Sequence, residues 1–230
     1  MALITDQLSK TRTATIFAFM AITLFVTVSA FASGNGEADR RRAMTLQAEQ
    51  MLSDLGYWIT KVDGAADDST RQAILAFQKV EGLKRTGVLN DQVLEAIRNA
   101  SRPTPKHAGS AHVEIDITRQ VIFLVDDQGH VTKVLSTSTG SGERYFSEGK
   151  WDRAYTPRGN FTISRQIKGV RKAALGTIYN PSYFNGGIAI HGSNSVPATA
   201  ASHGCARIPR FADQDFVNMV YVGMPVYVYD

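Results

Sequence analysis

Cysteine is almost missing from this chain, with one thiol, Cys205, in 230 residues. A single cysteine excludes an internal disulfide and any zinc site built from several thiolates. Repeats and low-complexity tracts are also absent, and 43% hydrophobic against 20% charged residues excludes a fibrous or disordered chain. Neither charge sign dominates: 25 basic and 21 acidic side chains leave a net +4 spread along the sequence. There is no basic stripe, so the electrostatic footprint of a nucleic-acid binder is lacking. At this length one or two domains with a real buried core are expected.

Long apolar runs are confined to one place. Lys10 and Arg12 precede an uncharged stretch from Thr13 to Gly36, apolar from Ala14 to Ala32, and the charged cluster Glu37 to Arg42 follows. A positive flank, an apolar segment and a polar flank are the parts of an export signal, and Ala30-Phe31-Ala32 fits small-x-small cleavage before Ser33. The run is also nearly long enough to span a bilayer. Residues 1–32 are therefore expected to be a signal peptide or an uncleaved membrane anchor, with membrane contact only in the second case, and the body is expected outside the cytoplasm. No cysteine follows the run, which excludes a lipid-modified amino terminus. In an oxidising compartment a leftover thiol is a reactive group, an intermolecular partner or a small buried hydrophobe.

Residues 43–100 carry a helical period. Met44, Ala48, Met51, Leu52 and Leu55 form one apolar stripe that Gly56 ends. Asp68 or Ser69 is placed to cap a second helix with Ala73, Ile74, Phe77 and Val80 on one face, and Gly82-Leu83 reads as its left-handed stop. Asn90 is placed to cap a third helix with Val93, Leu94 and Ile97 inward. A bundle this small is marginal alone, so a tethered partner domain is expected. Residues 101–110 read as a linker, with two prolines, a glycine and no apolar period. From 111 to 230 the period becomes two. Val113, Ile115 and Ile117 alternate with polar residues, Val121 to Val125 is continuously apolar, and Asp126 to Gly129 turns the chain into Val131 to Ser136. Phe161 to Ser164, Gly187 to Ile190 and Val226 to Tyr229 continue the strands, and Ala212 to Val220 alone reads as helix, with Asp213 near its start. The expected class is α+β: a small three-helix bundle, then a mainly antiparallel β-sandwich or partly closed barrel.

Chemistry gathers around the single thiol. Ile188-Ala189-Ile190-His191-Gly192-Ser193 leaves a strand and delivers an imidazole, and Ser202-His203-Gly204-Cys205-Ala206-Arg207 follows. Thiolate catalysis needs a tuned cysteine, an imidazole to take its proton and backbone amides aimed at the developing oxyanion. Gly204 removes the Cβ that would crowd an incoming carbonyl, and Arg207 adds a fixed positive charge. His191, His203 and Cys205 could in principle hold zinc, but His-x-Cys lacks the usual ligand spacing and no carboxylate lies in that stretch. No metal and no cofactor are expected. His107, His112 and His130, in the linker and at polar strand or turn positions, read as structural.

These two segments together resemble the active-site signature of the L,D-transpeptidase family, the YkuD-like cysteine enzymes that cross-link peptidoglycan. Thr156-Pro157-Arg158-Gly159-Asn160-Phe161-Thr162-Ile163 resembles the family's upstream Thr-Pro-x-Gly-x-Phe motif, so the resemblance covers residues 111–230. Residues 43–100 resemble a three-helix peptidoglycan-binding domain through Leu46, Gln47, Leu52, Gly56, Tyr57, Asp63, Gly64, Thr70, Phe77, Gln78, Gly82, Leu83 and Gly87. The resemblance implies that Cys205 attacks the bond between the diamino acid and terminal D-alanine of a stem tetrapeptide. D-Alanine leaves, a thioester forms, and the side-chain amine of a second stem makes a 3-3 cross-link. It also implies His191 as general base oriented by the Gly192 carbonyl, and His203, Gly204 and Cys205 as oxyanion donors. Ser202 would shape the loop and Arg207 would hold a carboxylate or carbonyl. Tyr179, Tyr183 and Phe184 would lie in a substrate-covering lid hinged at Asn185-Gly186-Gly187. Peptidoglycan stem peptides and wall glycan are the implied partners, carbapenem-type compounds the implied inhibitors, and the cell wall or periplasm the implied location. Two positions depart from the pattern: only ten residues separate His191 from Ser202, and arginine follows Cys-Ala where a subset has asparagine. Hydrolysis by an L,D-carboxypeptidase, attachment of a protein to the wall, and a non-catalytic wall-binding protein are the alternative readings.

Overall fold

The computed structural model describes residues 36–230, so the expected leader lies outside the described residues. Among these residues no helix is long and apolar enough to cross a membrane. Thr45–Asp230 form one compact unit.

Helix α1 is described from 36 to 54. Gly56 ends it at φ +92, and the Tyr57 amide reaches back to the Leu52 carbonyl at 2.8 Å while the Gly56 amide reaches Ser53 at 3.0 Å. This paired closure satisfies carbonyls that the helix end would leave open. Helix α2, Asp68–Val80, is capped by the Asp67 carboxylate, which accepts from the Thr70 amide. The expected cap was one or two residues later, because three adjacent residues, Asp67 to Ser69, are all competent caps and only the backbone decides among them. Gly82 and Leu83 close α2 as expected, with the Leu83 amide on the Gln78 carbonyl at 2.8 Å. Helix α3, Asp91–Asn99, is capped by Asn90 accepting from Val93.

The strands are β1 His112–Asp116, β2 Val121–Val125, β3 Val131–Ser136, β4 Arg144–Ser147, β5 Lys150–Arg153, β6 Gly159–Thr162, β7 Arg165–Gln166, β8 Val170–Ala173, β9 Gly176–Asn185, β10 Ile188–Ser193, β11 Ala206–Pro209 and β12 Pro225–Tyr229. Helix α4, Asp213–Met219, lies between β11 and β12. One sheet runs β3-β2-β1-β12-β6, the other β11-β10-β9-β7 with β8 also paired to β9, and β4-β5 form a separate ribbon. Both large sheets are mixed rather than strictly antiparallel, since β1 runs parallel to β12 and β10 parallel to β11. The first pair joins strands at opposite ends of the domain and the second joins consecutive strands across a crossover, and the alternation of apolar residues reveals neither direction.

The core unites Val113, Ile115, Val226 and Val228 of the first sheet with Ile190 and Ile208 of the second, and with Phe216 of α4. Trp58, from the loop after α1, is part of that same core. Its amide donates to the Val134 carbonyl at 3.1 Å and Val134 donates to Gly56 at 2.8 Å. The helical segment thus pairs with the outer strand β3, covering a sheet edge that would otherwise be open. Helix α2 is buried from Ala73 to Lys79 all round, as expected of a helix packed on β3 and β2 and also tied to α1, where Thr70 donates to Glu49 at 2.6 Å.

Residues 101–110 have almost no regular structure but are fastened along their length. Arg102 donates to the Val131 carbonyl at 2.9 Å, and the Lys106 and His107 amides donate to the buried Glu114 carboxylate at 3.0 and 2.6 Å. His107 stacks on Tyr227 with centroids 4.3 Å apart, and His112 is fully buried with Nδ1 2.7 Å from the Ser110 carbonyl oxygen. Both therefore serve structure, His112 in the interior rather than at a polar surface.

Candidate active site

Strand β10 delivers His191 to the site from between two partners. It pairs antiparallel with β9 through two register irregularities, one before Ala189 and one after Ile190, and parallel with β11 so that His191 faces Arg207 across the ladder. Side chains two apart on a strand share a face. His191, Cys205 and Arg207 accordingly line one cleft of about 890 Å³.

Cys205 stands immediately before β11 and is half-buried. Its sulfur accepts from the Ala189 amide at 3.4 Å. The turn before it is built by three tight constraints. Gly204 has φ +138, and a Cβ there would meet the Tyr155 carbonyl oxygen at 3.0 Å, so no side chain is accommodated without strain. Ser202 donates to the Cys205 carbonyl at 2.6 Å and accepts from the Gly204 amide at 3.0 Å. Thr156 donates to the Gly204 carbonyl at 2.6 Å and accepts from the Gly140 amide at 2.9 Å. Ser202 is thus the internal clasp of the loop. Because the Gly204 amide is committed to it, the expected oxyanion donors reduce to the amides of His203 and Cys205, neither of which has an acceptor among the described residues. The His203 ring is exposed and meets Tyr145 edge-on at 4.7 Å.

His191 is 5% exposed, and its Nδ1 lies 2.8 Å from the Gly192 carbonyl oxygen. A carbonyl only accepts, so Nδ1 carries the proton and the neutral ring presents Nε2 as a lone pair. Burial pushes the imidazolium below its ordinary range, and Arg207 adds to this, against opposing help from the Gly192 carbonyl and Asp213. Burial likewise pushes the Cys205 thiol up, although the Ala189 amide and Arg207 pull the other way. Both shifts favour the neutral forms of the two groups in this cleft. The Arg207 guanidinium donates no hydrogen bond among the described residues and is free to meet an anionic or carbonyl group.

Behind His191 is a feature that the sequence did not single out. The Asp213 carboxylate, 1% exposed, lies against Gly192, where a Cβ would overlap it. It accepts from Asn180 at 2.9 Å and from Arg210 at 2.7 Å. Asp213 therefore makes no cap for α4, whose N-cap residue is Ala212 and which has no side-chain cap at all. Arg210 in turn lies over the Tyr179 ring at 4.0 Å.

The expected lid is not where Tyr183 and Phe184 are. Both lie in β9, a ten-residue strand paired on both sides, and each is 4% exposed. Phe184 belongs to the core. Asn185 pairs with Ile188, so Gly186-Gly187 is the two-residue turn of a hairpin rather than a hinge. Tyr179 and Tyr183 do line the cleft, joined by Tyr145, Tyr155, Arg165 and Arg171, which sequence reasoning passed over. Tyr145, Arg165 and Arg171 lie in short, polar strands and Tyr155 in a loop, with no apolar alternation to announce them. No cluster of metal-ligating side chains occurs among the described residues.

Comparison with known proteins agrees with this geometry. The L,D-transpeptidase catalytic domain family matches residues 110–228, and a peptidoglycan binding domain family matches residues 41–97. The chain belongs to the L,D-transpeptidase family. Membership associates it with peptidoglycan-related transpeptidation. An L,D-transpeptidase from Xylanimonas cellulosilytica is 40% identical with a TM-score of 0.77, over 80% of this chain and 92% of that one. An L,D-transpeptidase from Stackebrandtia nassauensis is 20% identical with a TM-score of 0.47, over 81% of this chain and 90% of that one. L,D-transpeptidase 3 from Mycobacterium tuberculosis, in complex with a faropenem-derived adduct, is 16% identical with a TM-score of 0.42, over 53% and 60% of the two chains. No curated protein matches.

Proposed function

We propose that this L,D-transpeptidase is exported and works by a Cys205 thioester. The observation that carries the reading is one cleft lined both by a half-buried thiol and by an imidazole whose Nδ1 is held by the Gly192 carbonyl at 2.8 Å. The donor is a stem tetrapeptide ending in D-alanine. His191 Nε2 takes the thiol proton as Sγ bonds to the carbonyl carbon of the diamino acid. The tetrahedral oxyanion is met by the amides of His203 and Cys205. Collapse breaks the carbon–nitrogen bond, and the proton on His191 passes to the departing D-alanine amine. The side-chain amine of a second stem then attacks the thioester, loses a proton to His191 and leaves a 3-3 cross-link, with the thiol restored by that proton. Arg207 meets a carboxylate or carbonyl of the donor, and Tyr179 and Tyr183 wall the cleft. The helical module holds the enzyme on wall glycan or peptide, and carbapenem-type compounds acylate Cys205 through their strained ring.

Mass spectrometry of disaccharide tetrapeptide incubated with the full chain tests this. D-alanine release with a cross-linked dimer is expected, and both are lost in Cys205→Ser. A shortened stem without dimer assigns the same site to hydrolysis. No D-alanine release and no carbapenem adduct on folded protein refutes the reading, leaving a wall-binding role alone.

A further inference from the structure

The segment between the two halves of the catalytic motif is short, from Asn194 to Ala201, and has no helix or strand of its own. Its carbonyls need partners, and a loop carrying a nucleophile needs a fixed shape. Some of these partners come from residues more than a hundred positions earlier in the chain. Gln72 of α2 donates to the Val196 carbonyl at 3.3 Å. Arg85, just after α2, reaches the Ala198 carbonyl at 3.5 Å and the Thr118 carbonyl at 3.2 Å. The remaining support comes from the chain leaving β3: Ser138 donates to the Thr199 carbonyl at 2.8 Å, and the Thr139 carbonyl accepts from the Ala201 and Ser202 amides at 3.0 and 2.9 Å.

That supporting strand is itself held from the helical module. Lys79 of α2 is 1% exposed, its pKa pushed down to about 7 by burial, and its Nζ donates to the Gln120 carbonyl at 3.1 Å, the Ser136 hydroxyl at 2.8 Å and the Thr137 carbonyl at 2.9 Å. Thr137 passes the link on, its hydroxyl donating to the Arg207 carbonyl at 2.7 Å. Gln120 does the same, bonding Thr139 through both ends of its amide at 2.6 and 2.8 Å. A lysine gives up much hydration and side-chain entropy to be buried. Nothing in anchoring a helix to a sheet requires an ammonium where a leucine would pack, whereas three converging acceptors at the root of the Arg207 and Ser202 supports do require a three-fold donor.

We propose that Gln72, Lys79 and Arg85 are positioning residues for Cys205, so that the peptidoglycan-binding module is a brace of the catalytic loop and not only a tether. The inference rests on Cys205 being the nucleophile. None of the three touches the cleft. Their effect runs through the loop carbonyls, through Thr137 to Arg207, and through Thr139 to Ser202, the clasp of the Gly204-Cys205 turn. A wall ligand that shifts α2 would thereby alter the rate at which Cys205 reacts.

The test uses the full chain with Gln72→Ala/Arg85→Ala, Lys79→Met, Thr137→Val and the combination of the last two, assayed well below each variant's unfolding midpoint. D-alanine release from a soluble tetrapeptide gives kcat and KM, and iodoacetamide gives the alkylation rate of Cys205. The double alanine variant keeps its fold and loses about five- to tenfold in kcat with little change in KM. Lys79→Met and Thr137→Val each lower kcat, and their combination falls short of the product of the two, because they cut one chain of bonds. A kcat and an alkylation rate within twofold of the parent in the double alanine variant overturn the brace. So does a Lys79→Met variant that changes only the unfolding midpoint, or full additivity with Thr137→Val. Cys205→Ser is run alongside: turnover surviving in it refutes the nucleophile, and with it the functional reading itself, whereas its loss leaves the brace to be judged on the other variants.

Discussion

The protonation state of the resting site is the sharpest consequence of its geometry. At ordinary values of about 8.5 for a thiol and 6.5 for an imidazole, proton transfer from Cys205 to His191 is uphill by two pKa units, or about 2.7 kcal/mol, and leaves ~1% as thiolate-imidazolium. Burial raises Cys205 and lowers His191, so both shifts widen the gap and the ion pair falls below that fraction. Two pH profiles then separate. Iodoacetamide, which needs the thiolate, should react with Cys205 along a single rise centred above the ordinary thiol value. Donor acylation, which needs neutral His191, should rise along a limb centred below the ordinary imidazole value and be level through neutral pH. His191→Ala should leave the alkylation profile nearly in place while acylation drops by about 10²- to 10⁴-fold. Stopped-flow fluorescence for acylation and mass spectrometry for alkylation read the two. A broad alkylation plateau between about pH 6 and 8 that disappears in His191→Ala would show a standing ion pair and refute the argument.

Substitutions at two positions test how the site is held. Gly192→Ala places a Cβ in the space of the Asp213 carboxylate, whose displacement breaks charge-assisted bonds to Asn180 and Arg210. A loss of about 1.5–3 kcal/mol in urea unfolding is expected, together with slower acylation as the Gly192 carbonyl shifts from His191, and parental stability would be incompatible with that packing. Thr156→Val removes the hydroxyl between Gly140 and Gly204, leaving a buried donor and acceptor unpaired at a cost of about 2 kcal/mol, while Thr156→Ser should stay near the parent in both stability and Cys205 alkylation.

What could be read from the sequence divides by how far its cause reaches along the chain. Gly56, Gly82 and Asn90 act within one turn, and each ends or starts its helix where expected. Strands β1, β2 and β3 carry their signal in adjacent residues, as alternation or, in β2, as a continuous apolar run, and were equally plain. Ribbon β4-β5 and strand β8 are mostly exposed, leave no alternation and were not foreseen. Within the site, His191, Cys205 and Arg207 of the motif line one cleft. The same motif could not show that the Gly204 amide is spent on Ser202, since whether an amide is free depends on a side-chain rotamer.

Asp213 and Lys79 show where such reading stops. Near a helix start, Asp213 has an ordinary local explanation as a cap. Its actual partners, Asn180 and Arg210, are fixed only once β9 and β10 have paired and Gly192 has cleared space beside them. Lys79 falls in the last turn of α2, where a lysine is expected to face water and favour the helix dipole. Here it is buried instead, because a second domain packs on that face. Both residues have a bland local reading and a distant structural one, and the two are separated only by what lies across the interface. A polar residue whose neighbours on the same helical face are all apolar, as Lys79 is beside Leu75 and Ala76, is therefore the kind of position at which a docked partner should be sought first.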